Sequence, residues 1–160
     1  MKKVILVLGC MVLLGMVNQM FADLRDSDAD LVFMPVPPCQ IIDTRVPGTM
    51  VTTTSTNFVV AGTTGFGAQG GQAGGCGIPT DATAMVINFI AVSPQGPGNL
   101  RAWPFGTPEP TYCWIINYAA MAGLNIANGV VEPIYDSSVN NCTSHLVVRA
   151  NVLSTHMVGV

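Results

Sequence analysis

The stretch "ATAMVINFIAVS", residues 82–93, decides the fold class. Read with a period of two, it is apolar on both faces: Met85, Ile87, Phe89 and Ala91 on one, Val86 and Ile90 on the other. A run of this length with β-branched and aromatic residues predicts a central strand buried on both sides. Downstream, "PQGPGN" (94–99) is a turn cluster and "LRAWPF" (100–105) the returning strand. "YCWIINY" (112–118) and "IANGVVEPIY" (126–135) follow, separated by proline and glycine turns. In "HLVVRANVLSTHMVGV" (145–160), Leu146, Val148, Ala150 and Val152 face one way, and Val147, Arg149 and Asn151 the other.

Upstream, the threonine- and valine-rich "TMVTTTSTNFVVAG" (49–62) suits strands. The glycine-rich "GTTGFGAQGGQAGGCG" (62–77) has no lysine and no G-K-[ST] ending, so it is not a phosphate loop. It reads as a flexible loop, the alternative being a tight loop where backbones approach closely, tethered by Cys76. Short strands between Gly/Pro turns, with no convincing helix, predict an all-β chain. The expected architecture is a single β-sandwich, jelly-roll-like or immunoglobulin-like.

The chain begins with Lys2 and Lys3, an apolar run from Val4 to Val17 and "MFA" before Asp23, which reads as a secretory signal over residues 1–22. Cys10 belongs to that expected signal. No later stretch approaches the ~20 apolar residues of a membrane-spanning helix, so the mature chain is expected to be secreted, extracellular or on the cell surface. Residues 23–38 form an extended N-terminal arm and residues 39–160 the sandwich domain. The arm starts with the acidic "DSDAD" (26–30), where a calcium loop would need glycine and glutamate at the positions held by Leu31 and Pro37. No metal or cofactor is expected.

After the expected signal, four arginines stand against nine acids, a net charge of −5. Such a surface does not suit nucleic acid, which needs clustered cations. Charged residues make up only 9% of the chain, and strand edges are without the lysines that usually guard them. That poverty of charge suits a homo-oligomer or homopolymer whose surfaces are covered by copies of itself. The four cysteines that follow the expected signal predict two disulfides, with Cys39–Cys76 and Cys113–Cys142 favoured among three pairings. Zinc is excluded by spacing.

"CQIIDTR" (39–45) places Asp43 and Arg45 on one strand face and Thr44 on the other. It reads as a polar clasp: Asp43 caps a turn through backbone amides and Arg45 satisfies carbonyls or an acid at the rim. No second carboxylate or nucleophile stands nearby, His145 and His156 lie in no catalytic motif, and no catalytic residue is expected. Leu31, Val32, Phe33, Met34 and Val36 form a candidate assembly arm that adds as a strand to a neighbouring subunit. Trp103 and Trp114 are candidate aromatics for an extracellular glycan, the alternative function.

Taken together, "FMPVPPCQIIDTR" (33–45), "GCGIPTDATAMVINFIAVSPQGPGNLRAWPFGTPEPT" (75–111), "WIINYAAMAGLNIANGVVEPI" (114–134) and residues 145–160 resemble a secreted bacterial β-domain family. Its motif in outline is F-x-P-[LV]-x-P-C-R-[LIV]-[LIV]-D-T-R, followed by G-x-L-x-[VA]-W-P and a closing strand. The family occurs in exported surface proteins, with related segments in phage tail proteins. The resemblance implies architecture and surface location rather than chemistry. Gln40 stands where the motif has arginine, Asn151 where an acid is common, and the aromatic ending is replaced by "VGV".

Overall fold

The computed structural model describes residues 32–119, 121, 123–138 and 142–160. The expected signal, the acidic run and Leu31 lie outside the described residues. The chain divides into two units, Met1–Pro35 and Val36–Val160. In the first, residues 32–35 have no regular secondary structure, and Val32, Phe33 and Met34 are exposed.

Among its described residues the second unit holds eight strands: β1 (Ile42–Asp43), β2 (Thr56–Phe58), β3 (Ala84–Val92), β4 (Gly98–Pro104), β5 (Trp114–Tyr118), β6 (Asn125–Pro133), β7 (Leu146–Ala150) and β8 (His156–Gly159). They form two four-stranded sheets, ordered β1-β8-β3-β6 and β2-β7-β4-β5, with every pairing antiparallel. The pairs β1·β8, β2·β7, β3·β6 and β4·β5 are nested, as if one long hairpin were rolled up. This is the connectivity of a jelly roll rather than of an immunoglobulin sandwich.

Alternation explains which residues meet between the sheets. Met85, Ile87, Phe89 and Ala91 of β3 turn inward and are buried. From the other sheet, Leu100 and Ala102 of β4, Leu146, Val148 and Ala150 of β7, Ile116 of β5 and Phe58 of β2 join the same core. Each large side chain so enclosed contributes about 1.5–3 kcal/mol. The expectation of a strand buried on both faces is corrected here. β3 is central in its sheet, yet Val86 on its outer face is 64% exposed. An antiparallel sheet needs cover on one side only. Similarly, the inward series Leu146, Val148, Ala150 ends there: Val152 is exposed in a bend where the chain crosses to β8 in the opposite sheet.

The glycine-rich segment is a tight, anchored loop. Phe66 is buried in the core, and a 3-10 turn over Gly67–Gln69 follows. Gln69 is wedged between the backbone just before β1 and the backbone just after β2: Nε2 donates to Val59 O (2.7 Å) and Ile41 O (3.0 Å), and Oε1 accepts from Val59 N–H (2.9 Å). Gln40 Nε2 donates to Gly70 O (2.7 Å), and Gln72 N–H donates to Gln40 O (2.8 Å). A Cβ on Gly71 would collide with the Ile41 carbonyl, so glycine is required by close backbone approach.

Cys39–Cys76 is a disulfide and ties this loop to the start of the sandwich. The expected second disulfide is absent: Cys113 and Cys142 are free. The strands that they lead into, β5 and β7, lie on opposite sides of β4. Two strand spacings are about 9.5 Å, whereas bridged Cα atoms lie within about 7 Å.

Candidate functional site

The DTR triplet forms an intramolecular clasp at the end of β1. Asp43 Oδ1 accepts from Arg45 Nε (2.8 Å) and from the Arg45 backbone N–H (3.1 Å), and Oδ2 accepts from Arg45 Nη2 (2.7 Å). These bonds hold the Asp43 carboxyl below the usual carboxylate range, against a smaller upward push from burial. Thr44 serves the neighbouring strand. Its Oγ1 accepts from the Met157 N–H (2.8 Å), leaving its hydroxyl proton free for His156 Nδ1 at 3.3 Å. Its own N–H donates to Met157 O (2.9 Å). Both carboxylate oxygens of Asp43 and the hydroxyl of Thr44 are thus engaged within the chain, while the Arg45 side chain stays half exposed. Beside the triplet lies an open cleft of about 350 Å³ whose lining includes Thr44, Phe58 and Gln69 but no titratable group.

The outer face of the second sheet carries a cluster that sequence reasoning missed. Arg101 on β4 and Arg149 on β7 are directly opposite one another, an arrangement of like charges that normally destabilises a sheet. Glu109, from the β4–β5 loop, bridges them, with Oε1 accepting from Arg101 Nη1 (2.9 Å) and Oε2 from Arg149 Nη1 (2.8 Å). Arg101 also stacks on Trp114, 5.7 Å from the ring centroid, and Tyr112 meets Trp114 edge to face. Arg101 and Glu109 are eight residues apart, but Arg149 comes from 40 positions beyond Glu109, so only strand register reveals the full cluster. Of the two candidate glycan aromatics, Trp114 is 48% exposed, whereas Trp103 is 6% exposed and is removed from the candidate set. A ring so covered has no face to offer a sugar.

The sheet edges differ sharply. β1 and β2 span two and three residues. β5 is broken by a bulge where the register shifts between Leu100 and Arg101, and the carbonyl of Ile115 is taken by Asn128 Nδ2 (2.7 Å). Both are ways of blunting an edge. β6 is different: nine residues in unbroken register against β3, with nothing on its far side among the described residues. Which of its groups are open follows from β3. Asn88 exchanges both backbone hydrogen bonds with Val160 (2.8 and 3.1 Å), so even-numbered residues of β3 point away from β6. Asn88 faces Gly129, so the odd-numbered residues of β6 point away from β3. Asn125, Ala127, Gly129 and Val131 therefore hold four N–H and four C=O groups without a partner among the described residues. All four residues are exposed, and the one ionisable residue of the strand, Glu132, is buried among core residues.

Burial raises the Glu132 carboxyl to about 7. It lowers the pKa of His145, whose Nδ1 accepts from the Val60 N–H at 3.3 Å. Among the described residues, no three of His, Cys, Asp and Glu gather to hold a metal ion. No described helix is long and apolar enough to cross a membrane. No family model, curated protein or solved structure matches the chain.

Proposed function

We propose that the protein is a secreted structural subunit that self-associates into an extracellular filament or surface polymer through its N-terminal arm. The carrying observation is the arm itself: Val32, Phe33 and Met34 are 89%, 75% and 62% exposed, three consecutive large apolar side chains in water. Single exposed apolar residues are ordinary, but a contiguous run marks an interaction site. The poverty of charge and the resemblance to exported surface domains support the same reading. The sandwich is a scaffold with its own core, its clasp and its disulfide. Deleting residues 23–34 should leave a folded chain, with wild-type circular dichroism and melting, that no longer sediments as polymer. Polymer formation by the deleted chain contradicts the reading.

A second reading rests on the Tyr112–Trp114 pair beside Arg101, the arrangement of a saccharide platform with a cationic neighbour. It predicts that an extracellular glycan raises the melting temperature and that Trp114→Ala abolishes the rise.

A further inference from the structure

We infer that the arm's acceptor is the open edge of β6 in a neighbouring copy, where Val32, Met34 and Val36 add as an antiparallel strand. The inference rests on the proposed assembly and assigns its missing half. Sequence parity carries the argument. In an extended segment, residues two apart point their N–H and C=O groups to the same side. Val32, Met34 and Val36 are one such set, and Phe33, Pro35 and Pro37 the other. Proline has no N–H to give, so only the first set can face an acceptor with complete backbone pairs. The prolines then fall on the outer side of the added strand, where they remove no ladder bond and prevent a further strand from joining. At Pro38 the parity breaks and the ladder stops.

The acceptor matches in length, hydrogen bonding and side-chain chemistry. Five extended residues span roughly 17 Å, well within the roughly 30 Å of a nine-residue strand. Three donor residues facing four open residues of β6 give up to about six backbone hydrogen bonds. In an antiparallel pair, residues that exchange hydrogen bonds also share a sheet face. Val32, Met34 and Val36 would therefore lie on the outer face beside Ala127 and Val131. Val131 is 71% exposed and sits opposite the exposed Val86 of β3, an apolar pair with no cover among the described residues. Neither surface carries a charge: the segment from Val32 to Pro38 has none, and Glu132 is already buried within its own sandwich. Antiparallel addition also continues the pattern of every pairing in the molecule.

Gly129 gives the sharpest test. Its N–H points outward, and a Cβ there meets open space. In the full chain, Gly129→Pro removes one outward donor and places a ring on the edge, whereas Gly129→Ala keeps the donor. The expected result is polymer lost by about tenfold or more in Gly129→Pro, by sedimentation, and retained in Gly129→Ala. Hydrogen exchange of assembled wild-type protein provides a test independent of the variant's folding. The amides of Ala127 and Gly129, with that of either Asn125 or Val131, should exchange about tenfold or more slowly than in the chain lacking residues 23–34. If those amides stay unprotected in the polymer, or Gly129→Pro assembles normally while the arm deletion does not, the β6 acceptor is overturned and the arm reading survives. If the arm-deleted chain assembles and Gly129→Pro blocks it, β6 pairs with β6 of another copy, which overturns both.

Discussion

At the scale of single residues, Glu132 is a described group whose environment opposes its ordinary state. Burial raises its carboxyl to about 7 from an ordinary 4.5, so the fold favours the protonated form. Below the unfolded value the group is protonated in both states and costs nothing. Stability then falls as pH rises between about 4.5 and 7 and stays lower above, by about 3 kcal/mol. His145 acts in the opposite sense, because its lowered pKa makes acid unfavourable to the fold. The difference between wild type and Glu132→Gln isolates the carboxyl. Urea melts at pH 5 and pH 8 should show the variant gaining up to about 3 kcal/mol on wild type at the higher pH. An unchanged difference between the two pH values would show that Glu132 is solvated. Thr44 is a second buried polar residue with a definite task. Thr44→Val keeps the shape but leaves the Met157 N–H without its acceptor, and should cost about 1–3 kcal/mol in the same melts.

At the scale of elements, the glycine-rich loop carries the clearest lesson. Gly71→Ala puts a methyl against the Ile41 carbonyl and should destabilise by about 2 kcal/mol or more, whereas Gly129→Ala, in open space, should change stability by less than about 1 kcal/mol. A melt of each variant checks both. Composition alone suggests flexibility for this loop, because glycine serves a hinge and a close backbone contact equally. The deciding facts are Gln69 and Gln72 reaching residues some 30 positions earlier, which no local pattern encodes. Strands with long alternation are legible as strands, as in residues 82–93 and 145–150, because one face must be apolar; the second face of 82–93 is not, since its apolar Val86 lies open. β1 and β2 are not, since two or three residues in a ladder have no period of their own. Cysteine parity in turn predicts two bridges, but which thiols come within reach is decided by strand order, and β4 stands between the second pair.

At the scale of the whole molecule, the rolled connectivity leaves four sheet edges. Three are short or bulged, and one is long, has no exposed charge and is open among the described residues. The low charge that the sequence shows is thus given a location. The Arg101–Glu109–Arg149 cluster is invisible in the chain's linear order for the complementary reason, that its members share a face only after β4 and β7 pair. Self-association is decided by negative-stain electron microscopy of protein recovered from the cell exterior without denaturant. The full chain should appear as regular filaments or sheets. Dispersed small particles at concentrations where the arm is intact would contradict it.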